Sequence, residues 1–262
     1  MKDSIVTPEV LDHLDRDGYA VLYNFMSADR LNAIRLAIQK IIETQGDKAG
    51  TEFKQEPQTT RLANLVNCGE LFEQIVTDAD VLHCIRHVLG SDFKLSSLNY
   101  RSSHPHSDWT QPLHCDAGLL PDEKGNSVCN VIWLLDDFTD KNGPTRFVPG
   151  THLSGKLPEN SMPDPAGAHP KEKWLIAPAG TVVIMNAHLW HGALANQSDY
   201  ERRAIHSFYC RRDKPQQQYQ KALIDPQVQT RFSPELRDLL ALDDQENDRL
   251  CSEQTSMSGF LR

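Results

Sequence analysis

Apolar positions recur along the first ninety residues at helical spacing. Leu31, Ile34, Ile38 and Ile41 fall on one stripe, and Ser27 stands where its hydroxyl can cap the helix. The pattern therefore predicts a helix from that cap to about Glu43, preceded by a turn at Asp17-Gly18 and an extended run over residues 19–25. Leu71, Ile75, Leu82, Ile85 and Leu89 predict a second long helix over residues 70–89, with Gly90 at its stop. Beyond residue 92 the period shortens. Apolar and β-branched runs at 93–102, 113–118, 130–135, 145–148, 181–185 and 204–209 are separated by turn text such as Asn142-Gly143-Pro144.

Evenly spaced short strands predict a mainly β fold with flanking α-helices, a double-stranded β-helix or jelly roll of the cupin type. A single domain is expected over residues 1–262: a mainly helical flank (1–92), a jelly-roll core (93–213), and a helical or irregular C-terminal segment (214–262) with a short amphipathic element at 234–240 and a frayed end. Two connections, 101–112 and 154–173, exceed the usual loop length of about 4–6 residues and are candidate lids.

Charge removes several function classes. Lys and Arg number 27 against 36 Asp and Glu, a net charge of −9, which lacks the positive field that draws proteins to nucleic acid or anionic membranes. No apolar run approaches the roughly 18 residues of a membrane-spanning helix. The first residues show no basic patch followed by an apolar stretch, and the six cysteines are scattered, as free thiols would be. The expectation is a cytoplasmic protein with a small-molecule partner and neither nucleic acid nor membrane.

The chemistry concentrates in two strings. In Gln111-Pro112-Leu113-His114-Cys115-Asp116, residues 114 and 116 would share one face of a strand and form a two-toothed clamp for a divalent metal. Downstream, residues 180–185 read as a buried strand leading into Asn186-Ala187-His188-Leu189-Trp190-His191-Gly192. One imidazole from this segment, His191 or His188, would complete two His and one carboxylate on one face of a metal, the arrangement of non-haem Fe(II) oxygenases. Arg202, eleven residues after His191, would start a neighbouring antiparallel strand and could grip a carboxylate bidentately.

Together these strings, with Gly18-Tyr19-Ala20-Val21-Leu22, the run 130–139 and Asn142-Gly143-Pro144-Thr145-Arg146-Phe147-Val148-Pro149-Gly150-Thr151-His152, resemble the phytanoyl-CoA dioxygenase family over most of the chain. The resemblance implies that His114, Asp116 and His191 bind Fe(II), that Arg202 holds the distal carboxylate of 2-oxoglutarate, and that Gln111 hydrogen-bonds this co-substrate. Asn64 and Thr145 are similar to further co-substrate contacts in the natural-product branch of the family. It further implies consumption of O2, formation of succinate and CO2, and oxidation of a small-molecule C–H bond, by default hydroxylation. Halogenation is not expected, because Asp116 keeps the carboxylate that halogenases of this kind lack.

Trp133, Trp190, His104 and His106 are candidate substrate contacts, and the aromatic residues point to an apolar small molecule. Two other readings use the same residues: a mononuclear zinc hydrolase with activated water on the triad, and a non-catalytic jelly-roll binding protein. The hydrolase has no use for Arg202 or Gln111.

Overall fold

In a computed structural model, which describes residues 4–49, 51 and 57–253, the hydrophobic pattern resolves into two antiparallel sheets with helices on one side. The frayed end expected at the C-terminus falls largely on residues 254–262, outside the described residues. Helix α1 (Pro8–Asp17) ends at Gly18, whose φ of 83° lets its N–H reach the Leu14 carbonyl. A Cβ at that glycine would sit 2.6 Å from the His152 ring, so both conformation and space demand glycine there. The chain then forms β1 (Tyr19–Leu22) and α2 (Ala28–Gln45), with the Ser27 hydroxyl accepting from the Arg30 N–H and Leu31, Ile34 and Ile38 buried. Strand β2 (Thr59–Leu62) follows.

The expected helix over 70–89 is two helices, α3 (Glu70–Val76) and α4 (Ala79–Leu89). Thr77 donates its hydroxyl to the Glu73 carbonyl and Asp78 adopts extended angles. The Asp78 carboxylate pairs with Arg30 at 3.0 Å. Side-chain competition for backbone and a distant ion pair thus override apolar periodicity at that point.

The remaining strands are β3 (Phe93–Ser103), β4 (Gln111–His114), β5 (Val128–Leu134), β6 (Thr145–Phe147), β7 (Lys173–Trp174), β8 (Val182–Asn186), β9 (His191–Ala193) and β10 (Arg202–Arg211). Four short helices close the described chain: α5 (Gln220–Leu223), α6 (Pro226–Gln229), α7 (Pro234–Leu239) and α8 (Gln245–Glu253). The six-stranded sheet runs β1-β8-β5-β10-β3-β2 and the four-stranded sheet β4-β9-β6-β7.

Alternation along the central strands decides what each sheet face meets. Val131, Trp133, Val182, Ile184, Ile205 and Tyr209 pack against helical residues including Ile34, Ile38, Ile75 and Ile85. Ile132, Leu134, Val183, Met185 and Ala204 face the other way and join Phe138, Phe147 and Leu189. Both faces of β5 and β8 are covered, which is why all residues of these strands are buried. The long 154–173 connection is fastened to the small sheet: buried Arg146 donates to the carbonyls of Pro165 (2.9 Å) and Gly167 (2.9 Å), and the Leu113 N–H bonds Pro165 O at 2.8 Å. Among the described residues no helix is long and apolar enough to cross a membrane.

Candidate active site

Strand β4 ends on His114 and β9 begins on His191, and these two residues stand directly opposite each other in the antiparallel register, ring centroids 4.3 Å apart. Asp116 is not on the strand, as the i, i+2 reading expected. It opens a 3-10 turn (Asp116–Gly118) whose first N–H is tied to the Ala187 carbonyl at 2.9 Å. That turn still delivers the carboxylate to the imidazoles. Asp116 Oδ1 lies 3.7 Å from His114 Nε2 and 3.5 Å from His191 Nε2, and the three ligand atoms all lie within 4.8 Å of one another. Cys115 points away and is buried.

Backbone carbonyls orient both rings. His114 Nδ1 meets Pro112 O at 3.0 Å and His191 Nδ1 meets Leu189 O at 2.8 Å. A carbonyl only accepts, so each Nδ1 carries a proton, and Nε2 is the nitrogen each ring turns toward Asp116 Oδ1. The second carboxylate oxygen, Oδ2, accepts from Asn130 Nδ2 at 3.2 Å, which leaves Oδ1 alone facing the rings. Burial pushes the Asp116 carboxyl up, but His191 and His114 outweigh it and hold the group well below the usual carboxylate range. Burial likewise opposes protonation of His191, yet Asp116 and the Leu189 carbonyl raise its pKa. Two neutral imidazole donors and one ionised carboxylate on one side of a point is a donor set that suits ferrous iron and leaves other coordination positions open.

His188 is not a competitor for this site. Its Nδ1 faces Leu119 O at 2.9 Å and its Nε2 accepts from the Ser127 N–H at 3.0 Å, so both nitrogens are used in joining three chain segments behind the triad.

Arg202 reaches the site by a route the sequence did not suggest. Strand β10 is not a neighbour of β9; it lies in the six-stranded sheet, and Arg202 approaches from across the sandwich. Its guanidinium lies 4.3 Å from the Phe138 ring centroid, and its buried Nε has no hydrogen-bond partner among the described residues. Burial pulls its pKa down to about 10, against a weaker opposing pull from Asp136. An orphaned, desolvated cation of this kind fits a ligand carboxylate.

Arg202, the triad, Gln111 and buried Thr145 line one open cavity. Gln111 bridges His114 Nε2, 3.3 Å from its Nε2, and Arg101, whose Nη1 donates to its Oε1 at 3.4 Å.

Other candidates lie elsewhere. Asn64 caps a 3-10 turn with φ 53° and donates Nδ2 to Leu223 O at 2.7 Å; it does not line the cavity. Trp133 sits on the helix-facing side of β5, its Nε1 donating to Ser207 Oγ at 3.1 Å, because the inward positions of that strand are 130 and 132. Trp190 packs with Leu113, Cys115 and Val148 and donates to Lys156 O, also outside the cavity. His104 meets Thr60 Oγ1 at 2.8 Å, and exposed His106 lies 3.2 Å from Asp199. Neither faces the triad. Sequence reasoning missed Asn130, although a polar residue within the apolar run 128–135 was the available signal. It also missed Arg61, Arg101 and His206 on the cavity wall, which only strand pairing brings together.

Residues 14–204 match the phytanoyl-CoA dioxygenase (PhyH) family. Among curated relatives, Dioxygenase ALT11 of Alternaria alternata is 27% identical over 221 residues, covering 77% of this chain and 70% of the relative. Among solved structures, iron-bound EctD from S. alaskensis superposes with a TM-score of 0.67 at 21% identity, over 80% of this chain and 79% of EctD. HygX from Streptomyces hygroscopicus, with nickel, 2-oxoglutarate and hygromycin B bound, gives 0.63 at 15% identity, over 80% and 90%. With most of its length matched and a two-His-one-Asp triad at the mouth of a jelly roll, the chain belongs to the phytanoyl-CoA dioxygenase family.

Proposed function

We propose that this family member is a single-domain Fe(II)- and 2-oxoglutarate-dependent dioxygenase that oxidises, and by default hydroxylates, a C–H bond of a small molecule, with succinate and CO2 as co-products. One observation carries the reading: the triad and a buried cation without a hydrogen-bond partner at Nε share one cavity. His114, Asp116 and His191 would hold the iron, and Arg202 the far carboxylate of the co-substrate, with Gln111 and Thr145 beside it. Ferrous iron, when bound, supplies the redox chemistry that couples O2 to decarboxylation of 2-oxoglutarate, which protein side chains alone do not perform.

The chain's own residues do the positioning. The Pro112 and Leu189 carbonyls hold the Nδ1–H of both imidazoles, so that Nε2 is the nitrogen each would offer to a metal. Asn130 occupies Oδ2 so that Asp116 presents one oxygen. Ile132, Ala204 and Phe208 on the inner face of the large sheet line the cavity and limit water around the reacting groups. A zinc hydrolase would use the same triad but would leave the buried charge of Arg202 unexplained.

The test is succinate release from 2-oxoglutarate by the full chain under air with ferrous iron and ascorbate, in the presence of a panel of candidate small molecules. Succinate formation that requires O2 and iron and disappears in His114→Ala is the expected result. Oxygen-independent turnover with zinc would contradict it.

A further inference from the structure

Iron and co-substrate would fill only part of the cavity, and strand register shows which part. Along β10 the inner row Arg202, Ala204, His206 and Phe208 pairs with Ser103, Arg101, Asn99 and Ser97 of β3. On its other side, His206 and Phe208 pair with Ile132 and Asn130 of β5. Asn130 bonds the Asp116 carboxylate, so the triad lies near the Phe208 end of that row while Arg202 stands at the opposite end. A co-substrate reaching from the triad to the Arg202 guanidinium would lie along β10. The space beside it, toward β3, is left for the prime substrate.

Ser97, Asn99, His206 and Gln217 line that side, and none of them brings a charge. Burial, with Arg101, Arg202 and Arg61 nearby, holds the His206 pKa down to about 3, so its ring is neutral and offers one N–H and one lone pair. Arg61 and Arg101, displaced toward the Arg202 end, already have partners. The neutral groups are largely unspent. Ser97 Oγ donates to Gln217 Oε1 at 2.7 Å, and Gln218 Nε2 donates to Asn99 Oδ1 at 2.7 Å. Among the described residues this leaves Gln217 Nε2, Asn99 Nδ2 and both ring nitrogens of His206 without hydrogen bonds.

Gln217 is fixed in place by the residues around it. Its N–H donates to Ser96 Oγ at 2.5 Å, the Gln218 N–H donates to Ser96 O at 3.0 Å, and buried Gln216 donates to Leu95 O at 2.8 Å, which pins the run to β3. His206, Phe208 and Gln217 all follow residue 204, where the family match ends. The tryptophans that suggested an apolar substrate face elsewhere. An apolar molecule on this wall would strand its polar side chains, and an ion would exchange its hydration for neutral partners.

We propose that the prime substrate is an uncharged molecule whose hydroxyl or amide group is held by Asn99, His206 and Gln217 while its carbon skeleton lies against Ile132 and Phe208 beside the triad. This rests on the dioxygenase reading for the identity of the other occupants, but not for the polar wall itself.

The experiment is calorimetric titration of the full chain loaded with nickel and saturating 2-oxoglutarate, which keeps added carboxylates off Arg202. The probes are the carboxamide, carboxylate and methyl derivatives of benzene and of indole. On at least one ring the carboxamide is expected to bind about tenfold or more tighter than both counterparts. Gln217→Met and His206→Leu are each expected to cut the carboxamide-to-methyl ratio by about fivefold or more, and His206→Gln to restore part of it. A defect of folding lowers all probes alike and leaves that ratio unmoved. Failure of both carboxamides to bind, a carboxylate or methyl compound that equals its carboxamide on both rings, or a ratio unchanged in Gln217→Met and His206→Leu overturns the proposal. The comparison on the unaltered chain decides the matter even if a variant fails to fold. If 2-oxoglutarate does not bind but the carboxamide preference persists, the dioxygenase reading fails and the neutral subsite stands; if 2-oxoglutarate binds without that preference, the reverse holds.

Discussion

Replacing Arg202 by methionine separates what this guanidinium does to the fold from what it does for a ligand. The residue is 6% exposed, its Nε lacks a partner, and the nearest countercharge, Asp136, is already engaged by Arg203 at 2.8 and 2.7 Å. Burial lowers its pKa to about 10, so holding the charge costs the fold about 3 kcal/mol relative to a solvated arginine. The contact with Phe138 returns about 1–2 kcal/mol of that. Methionine keeps an apolar stem and drops the charge. The metal-free Arg202→Met protein is therefore expected to be about 1–2 kcal/mol more stable than the parent, a rise in Tm of about 2–8 °C. Binding of 2-oxoglutarate moves in the opposite direction. Truncating one side of a buried, hydrogen-bonded charge pair costs about 2–5 kcal/mol, which raises Kd from about 30-fold to a few thousand-fold. Thermal melting in the presence of chelator and calorimetric titration of the nickel-loaded protein read the two quantities separately. A lower Tm together with unchanged 2-oxoglutarate affinity would show that Arg202 is a structural cation and refute the reasoning.

Three further outcomes follow from the geometry. Asn130→Ala frees Asp116 Oδ2 and is expected to weaken Co(II) affinity by about 10- to 100-fold with little change in melting of the metal-free protein; an unchanged affinity would show that Asn130 does not orient the carboxylate. At Gly192 an added Cβ would meet Gln111 O at 2.5 Å and Pro112 O at 3.0 Å, so Gly192→Ala pushes β4 from β9 and is expected to reduce metal binding, with the His114 and His191 ring NMR signals shifting; native-like shifts and affinity would contradict the close packing. Hydrogen bonding from Arg211 at 2.7 Å holds the Asp213 carboxyl down at about 2, below its unfolded value. A carboxyl depressed in the folded state stabilises above its unfolded pKa, near 4, and loses that contribution as pH falls toward 2. Asp213→Asn is therefore expected to melt below the parent at pH 7, with the gap narrowing by pH 3 and closing only as pH falls toward 2; a gap that stays constant would show that the ion pair contributes nothing.

Much of this was legible in the chain because short-range pattern and long-range structure agree. The Ser27 cap, the Leu31, Ile34, Ile38 stripe and the β-rich texture after residue 92 all fold as their periodicity dictates. The triad residues were legible as types at spacings, and the fold brings them together. What failed was information that only tertiary pairing holds. The break at Thr77-Asp78 depends on Arg30, forty-eight positions away from Asp78. Arg202 lies opposite β9 across the sandwich and not beside it, since adjacent segments in sequence fall in different sheets. Trp133 looked like a pocket wall until register fixed which face of β5 is inward. The Arg61 and Arg101 pair spans forty residues of sequence and exists only because β2 lies against β3.

In the proposed enzyme His114, Asp116 and His191 would hold iron in the cavity where Arg202 would hold the co-substrate. A crystal structure of the full chain loaded anaerobically with Fe(II) and 2-oxoglutarate tests it most directly. The expected structure has iron bonded to His114 Nε2, Asp116 Oδ1 and His191 Nε2, the Oδ2 contact with Asn130 intact, and the distal carboxylate of 2-oxoglutarate on the Arg202 guanidinium. Iron bound away from these three atoms, or a 2-oxoglutarate whose distal carboxylate avoids Arg202, would contradict it.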